Sequence, residues 1–351
     1  MFQILIKKLA YGVLVLAGVV VVVFFIFQAF GDPVRMVLGQ TGDKQTMDNI
    51  RKELYLDQPK WKQFVFYVND ISPIAIHSKE EIKQKDLHGF FIPIGKNENF
   101  AIKVPYLRRS YQTKKPVTQV LMEALPGTIL LACAAMLFAI IVGIFLGVLA
   151  AVKQNTWLDT TSVFVSVIGI SAPSFFMAIV IAYVFGLVLH DYTGLSLTGS
   201  WFNIDQVTGE RYLTLQNLIL PALTLGIRPL SIITQLTRSS MLDTLNQDYI
   251  RTAYAKGLSK RKVVIHHALR NAINPVLTAI TGWFAELLAG AFFVEYIFGW
   301  KGIGKVTVDA LEKLDYPVVM GSVLFAATIF ILINILADVL YGVIDPRVKM
   351  K

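Results

Sequence analysis

The chain has 351 residues, of which 55% are hydrophobic, with a mean hydropathy of +0.58 and a net charge of +9. That is too apolar for a soluble globule of ordinary composition. Six apolar stretches, each near the ~20 residues that cross a bilayer, leave no separate soluble catalytic domain. The cations lie beside these stretches, where topology and anionic lipid account for them, so the expected partner is membrane lipid and not nucleic acid. Cys133 is the only cysteine, which excludes an intrachain disulfide and a cysteine metal site, and it reads as a small packing residue.

Residues 1–30 open with Lys7 and Lys8 before an apolar run from Leu9 to Phe30. A signal peptide is the competing reading, with a small-x-small site at Ala29 to Gly31. The run exceeds the usual ~7–15-residue signal core, so an uncleaved first transmembrane helix with a cytoplasmic N-terminus is expected. Residues 31–116 form a long polar segment. A short helix is expected from Thr46 to Tyr55, and the alternation Phe90, Ile92, Ile94 and Phe100, Ile102, Val104 predicts short strands. The segment carries 15 Lys/Arg against 10 Asp/Glu. It exceeds the ~60 residues over which the positive-inside rule operates, so it is placed outside, as a small α/β cap between helices 1 and 2 that receives a binding protein or shields a pore.

Residues 117–351 contain five more spans. The second runs from the Thr118–Pro126 lead-in to about Val152, with Gly143 and Gly147 spaced for close helix contact. A tight cytoplasmic turn, Lys153 to Asp159, leads to a third span from Thr160 to about Leu189. Pro173, beside Ser171, frees a carbonyl there, as either a simple kink or part of a pathway lining. After an outer loop at 190–216, the fourth span, Leu218 to about Leu236, is expected to be broken by Pro221, Gly226 and Pro229. The fifth runs from Pro275 to about Phe293. Glu295 to Pro317 is again outer, and the sixth runs from Val318 to Val343. Both termini are expected in the cytoplasm, which means an even number of spans and agrees with six.

Between the fourth and fifth spans, residues 238–274 form a polar, basic island with seven Lys/Arg and only Asp243 and Asp248 as acids. This bias predicts a cytoplasmic position. Its chemistry reads as helix, turn, helix. Ala253 and Ala255 are small enough for another surface to approach, Gly257 suits a left-handed helix end, and Ser259 can cap the next helix. Lys260, Arg261 and Lys262 then oppose the helix dipole. An ordinary amphipathic connector is the competing reading. Arg228 and Glu286 fall near mid-membrane and are functional candidates, expected to face a translocation cavity and to contact each other or a charged ligand. A purely structural ion pair is the alternative. Asn334 and Asp338 share a helix face in a packing or gating role. Gly299 to Val306 fits a phosphate-loop spacing but has Val306 where Ser or Thr should hold magnesium, and no strand precedes it. No metal site or catalytic triad stands out among His190, His266, His267 and their neighbours.

Several of these residues carry a resemblance. Ala253-Tyr-Ala-Lys-Gly257, about nine residues, then His267-Ala-Leu-Arg-Asn and Pro275 is similar to the cytoplasmic EAA loop of ABC-importer permeases, in the oligopeptide/dipeptide version. Gly31-Asp-Pro-Val34, Leu56-Asp-Gln-Pro59, Ser171-Ala-Pro-Ser-Phe175 and Asp345-Pro-Arg-Val-Lys resemble the same family. So does Glu295-Tyr-Ile-Phe-Gly-Trp-Lys-Gly-Ile-Gly304, with Lys301 in place of a proline. The resemblance implies an all-α membrane protein of the ABC type I importer fold. It implies a coupling helix at Tyr249, Arg251, Ala253, Tyr254, Ala255, Lys256 and Gly257 that docks in a groove of an ATPase, and an outer turn at Glu295, Phe298, Gly302 and Gly304. It further implies a homologous second permease, two cytoplasmic ATPases that hold the ATP and Mg, an extracytoplasmic substrate-binding protein, and no cofactor or bond chemistry in this chain. Oligopeptides or dipeptides are the expected substrates, with nickel or metallophore complexes as the alternative. A stand-alone secondary transporter or channel and a membrane-anchored sensor are the readings from other classes.

Overall fold

A computed structural model describes residues 2–29, 51, 55–204, 208–289 and 291–344. The turn read at Gly31 to Val34, most of the helix read at Thr46 to Tyr55, and the terminal Asp345 to Lys349 lie outside the described residues. In chain order the main elements are α1 (Phe2–Ala29), α2 (Lys60–Ile71), β1 (Ile74–Ser78), α3 (Lys79–Lys85), β2 (Gly89–Pro93), β3 (Glu98–Lys103) and α4 (Val117–Val152). There follow α5 (Trp157–Ser171), α6 (Ser174–Tyr183, extended by a π turn Val184–Val188), β4 (Phe202–Ile204), β5 (Arg211–Leu213), α7 (Ile219–Leu245) and α8 (Asp248–Ala255). The chain closes with α9 (Lys260–Ala272), α10 (Asn274–Ala289), α11 (Phe292–Ile297), α12 (Ile303–Glu312) and α13 (Tyr316–Ile344).

In lipid every backbone group must be satisfied within the chain, which is why the apolar runs become helices. Among the described residues, four helical runs are long and apolar enough to cross a membrane: Leu5–Gln28, Val117–Val152, Leu215–Leu245 and Tyr316–Val339. Two bent pairs, α5 with α6 (109°) and α9 with α10 (56°), bring the number to six if each pair is one span. The third expected span is therefore not a kinked rod. Ala172, before Pro173, adopts an extended backbone (φ −75°, ψ 129°), as the residue before proline prefers, and the chain turns sharply there. The expected break of the fourth span does not occur. Pro221 sits in the first turn of α7, where no N–H is needed, and Pro229 is carried inside a continuous 27-residue helix. That helix runs to Leu245, so Arg238 belongs to it and not to the loop.

The chain divides into two compact units. One comprises Met1–Leu5, Ala124–Lys305 and Ile329–Lys351. Its centre is a seam where Ala132, Ala135, Met136 and Ala139 of α4 pack with Leu230 and Ile233 of α7 and Val276, Leu287 and Leu288 of α10. Gly143 and Gly147 are what let α7 approach. A Cβ at Gly147 would stand 2.5 Å from Thr237 Cβ and 2.7 Å from the Thr234 carbonyl. Cys133 faces outward from α4 instead of packing inside. The region read as an outer loop contains a two-stranded hairpin, β4 with β5.

The other unit comprises Ile6–Glu123 and Val306–Thr328. It holds an antiparallel sheet of order β1-β3-β2, in which Ile74 and Phe90 flank Ile102, and Ile76 and Ile92 flank Phe100. The alternation read from the sequence does mark strands, yet the face it would bury is the open one: Phe90 is 81% exposed and Ile92, Ile94, Ile102 and Val104 are exposed with it. The covered face carries Ala75, His77, Asn99, Ala101 and Lys103. Lys103 Nζ donates to the Asp70 carbonyl and His77 Nδ1 lies 3.3 Å from Glu81 Oε2, while His77 Nε2 is buried without a hydrogen-bond partner among the described residues. Ser78 and Glu81 close a reciprocal capping box at the start of α3. Helix α2 packs Phe64, Tyr67 and Ile71 against Phe24 of α1 and Leu324 of α13.

Candidate functional site

Three groups of residues singled out in the sequence can be built up locally. The first is the hairpin of α8 and α9. In α8, Ile250 and Ala253 fall three apart and share one face, which packs on Met241, Val263, Val264 and Ala268. Tyr249, Arg251, Tyr254, Ala255, Lys256 and Gly257 are exposed. Ala253 is thus an inward packing residue at 6% exposure, and of the two small alanines only Ala255 is open to an approaching surface. The end of α8 follows the expected chemistry. Gly257 has φ +77°, its N–H donates to the Tyr254 carbonyl (2.9 Å), and the Leu258 N–H donates to the Ala253 carbonyl (3.3 Å), a Schellman pattern. Ser259 occupies the N-cap position of α9, but its side chain makes no capping hydrogen bond. A widened π turn at Val263–Leu269 lies within α9, and Asn271 Nδ2 donates to Tyr249 Oη at 3.0 Å, tying the two helices together.

Just before the hairpin, Arg238 of α7 grips Asp159 at the start of α5 through Nε and Nη2, the latter at 2.8 Å. Asp159 also accepts from the Asn155 N–H (3.0 Å) and is 4% exposed. This fork-to-carboxylate pair fixes the turn between α4 and α5 to the helix that enters the hairpin. The sequence pattern does not show this pair, since Arg238 reads as one of the island's cations and Asp159 as a turn residue. The available signal was a lone acid entering an apolar stretch.

The second group is the turn from Glu295 to Gly304. Glu295 is fully buried; Oε1 accepts from Thr128 Oγ1 (2.8 Å) and Oε2 from the Lys305 N–H (3.2 Å). Thr128 Oγ1 in turn accepts from the Ile303 N–H (2.9 Å). The glycines are required by space. A Cβ at Gly302 would lie 2.3 Å from Glu295 Oε2 and 2.6 Å from Thr128 Oγ1, and one at Gly304 would lie 2.6 Å from Phe292 Cα. Phe298 and Trp300 are buried, and Trp300 Nε1 donates to the Gly127 carbonyl (2.8 Å). Such a turn is a rigid brace with its carboxylate locked away. Gly299 to Val306 runs into α12 with no strand before it, so a phosphate loop is absent here.

The third group is Ser171, Pro173, Arg228 and Glu286. Arg228 and Glu286 are brought together, lining a cavity of about 210 Å³ with Ser174, Thr224, Trp283 and Phe293. Of the two expected contacts, with each other or with a charged ligand, the first is not seen: among the described residues no ion pair joins them, and the Arg228 guanidinium lies 5.5 Å over the Trp283 ring. Both side chains are exposed to the cavity side, as are Ser171 and Pro173 to the surface, and it is Ser174, beyond the break, that reaches the cavity. Asn334, offered for packing or gating, donates to its own helix at the Phe330 carbonyl (2.8 Å). No group of three His, Cys, Asp or Glu suited to a metal occurs among the described residues.

This arrangement has known relatives. The binding-protein-dependent transport system inner membrane component family matches residues 143–350, and its N-terminal companion matches residues 1–132. The chain is 35% identical to the dipeptide transport system permease protein DppB of Escherichia coli over the whole of both chains. It is 34% identical to that of Alkalihalophilus pseudofirmus over 98% of each. It is also 34% identical to the glutathione transport system permease protein GsiC of Escherichia coli over all of both chains. Among solved structures, a chain of the MetNI methionine ABC transporter in inward-facing conformations shares the fold, with a TM-score of 0.51 at 15% identity, covering 65% of this chain and 97% of that one. The chain belongs to the binding-protein-dependent transport system inner membrane component family, in its oligopeptide/dipeptide branch, and is a multi-pass permease subunit of an ABC importer, not an enzyme in itself.

Proposed function

We propose that this permease forms half of the translocation pathway of an ATP-driven importer for dipeptides or short oligopeptides. The observation that carries the substrate class is its identity to dipeptide permeases along the entire chain. Neither a nickel or metallophore cargo nor a stand-alone secondary transporter has comparable support. In this reading α5 with α6 makes one span and α10 the fifth, both termini and the basic α8–α9 hairpin lie in the cytoplasm, as the positive-inside bias favours, and the β1–β3 sheet lies outside. A homologous second permease completes the pathway, and an extracytoplasmic binding protein delivers the substrate. Two cytoplasmic ATPases hold the ATP and Mg, and this chain carries no cofactor. The exposed face of α8, Tyr249, Arg251, Tyr254, Ala255 and Lys256, docks in the ATPase groove, with Gly257 setting the angle of the hairpin. Closure of the ATPase pair pushes on α8. Ile250 and Ala253 transmit that push to α7, and the Asp159–Arg238 pair extends it to the α4–α5 turn. The Glu295–Gly304 turn braces the opposite end. Within the cavity, Arg228 and Glu286 meet the carboxylate and ammonium ends of a peptide.

Purification of the tagged chain from native membranes in mild detergent tests this reading. The expected result is co-elution of ATPase subunits and a second permease, and dipeptide uptake into proteoliposomes only when ATP is enclosed. Uptake by the chain alone, driven by an ion gradient, would establish a secondary transporter instead.

A further inference from the structure

The apolar run of α1 ends, and that of α13 begins, beside a cavity of about 80 Å³ that has no part in the pathway above. Phe24 and Phe27 from the last turns of α1 and Met320 from the first turns of α13 wall it with carbon. Polar side chains reach it from Gln28, Gln63, Tyr67, Arg108 and Tyr111, and Gln28 Nε2 donates to Gln63 Oε1. Tyr67 is 4% exposed, and its hydroxyl finds no hydrogen-bond partner among the described residues. Arg108 Nε is likewise buried and unpartnered among the described residues, and its guanidinium lies 5.5 Å over the Tyr67 ring. Burial pushes the Tyr67 hydroxyl up to about 12, against the opposing pull of Arg108, so it stays a proton donor at neutral pH. No carboxylate is among the described residues that line the cavity.

Arg108 also sits at φ +67°, in the left-handed region where a glycine would be free of strain. Its carbonyl accepts from the Val117 N–H (3.0 Å), and the Ser110 N–H donates to the Lys115 carbonyl (2.9 Å), so the surrounding backbone holds it there. A bulky cation kept at a strained position, aimed at a cavity with unsatisfied donors, points to a ligand. Water would fill the space but carries no charge to set against the guanidinium. A phosphate oxyanion compensates it and accepts from both donors. Because the cavity lies where two apolar runs terminate, it is level with the boundary between hydrocarbon and headgroups.

We propose that this cavity binds a phosphate oxyanion through Arg108 and Tyr67, and that the carbon walls at Phe24, Phe27 and Met320 suit it to the phosphate of a phospholipid headgroup.

The test uses the full chain with its co-purified partners, stripped of lipid in detergent, and follows its unfolding midpoint. The two probes are dioleoylphosphatidylglycerol and inorganic phosphate. Two variants accompany the unmodified protein. Arg108→Gly suits the left-handed backbone and so leaves the lipid-free midpoint equal or higher. Tyr67→Phe keeps the ring and removes the donor. The expected result is a lipid-dependent rise of several degrees that Arg108→Gly abolishes, and a several-fold weaker lipid response in Tyr67→Phe. A rise with inorganic phosphate that both variants diminish supports the same anion site and assigns it to the free ion. No rise with either probe, or equal rises in all three proteins, overturns the proposal and leaves the cavity to water.

Discussion

Gly257 and Gly302 are both glycines of recognisable motifs, but they are required for different reasons and should fail differently. At Gly257 a Cβ would meet nothing within 4 Å, so Gly257→Ala pays only for its left-handed backbone, about 1 kcal/mol. At Gly302 the Cβ would collide with a buried carboxylate that Thr128 and the Lys305 N–H hold in place, so Gly302→Ala should cost about 3 kcal/mol or more. Equilibrium unfolding in mixed micelles separates the two; equal losses would contradict the steric account of Gly302. At the cavity, Glu286→Gln should weaken uptake of dipeptides by about tenfold in KM, roughly 1.4 kcal/mol, and leave N-acetylated dipeptides unaffected. Arg228→Gln should do the same for free against amidated C-termini. Transport assays in proteoliposomes read both, and indifference to the peptide termini would reduce the two residues to a structural role. The residue scale is also where sequence was least sufficient. Gly257 was legible because left-handed geometry is local. The Asp159–Arg238 pair spans 79 positions and depends on how α5 and α7 meet, which no local pattern encodes.

The elements follow the same division. The apolar runs of α1, α4 and α13 announce helices by composition alone, because lipid leaves the backbone no other option. The breaks were harder to place. Pro173 and Pro229 both lie in apolar runs, and only Pro173 ends its helix. At Pro229 the helix keeps its course against α4 and α10, so packing outweighs the lost hydrogen bond. The sheet shows a third case. Strand alternation was visible, but which face is covered depended on α2 and α3 arriving on the Ala75–Ala101 side. Two groups at that side, the half-buried Glu81 and the buried Lys103, should titrate visibly. The hydrogen bond with His77, reinforced by the Ser78 N–H, holds Glu81 well below its usual 4.5, at about 2. Its stabilising contribution is therefore complete above about 4.5 and is lost as pH falls toward 2. Burial lowers Lys103 from 10.5 to about 8 against the pull of Asp70. Between those values the unfolded chain holds the proton and the native chain does not, so stability rises with pH across that window. Hydrogen exchange at β1–β3, corrected for intrinsic rates, should show protection falling below pH 4.5 and climbing from pH 8 to 10. Lys103→Met should remove the alkaline climb, and a climb that survives it would contradict the assignment.

For the whole molecule, family membership was readable from scattered short motifs because each has a physical reason to persist within this chain: a left-handed helix end at Gly257, a turn with no room for a Cβ at Gly302 and Gly304, and a helix-ending proline at Pro173. Less legible was how the basic hairpin joins the membrane helices. That junction rests on Ile250 and Ala253 packing beneath an exposed surface, and it gives the hairpin a rigid connection to α7. In the proposed mechanism, work done by the ATPases enters the chain at α8. The most direct measurement is cross-linking from position 255, in an Ala255→Cys protein whose exposed Cys133 has been replaced by serine, within native membranes. The account predicts that a short thiol-to-amine cross-linker traps an ATPase subunit and that a membrane-impermeant maleimide added to intact cells leaves position 255 unlabelled. Labelling from outside, or a trapped product that contains no ATPase, would contradict it.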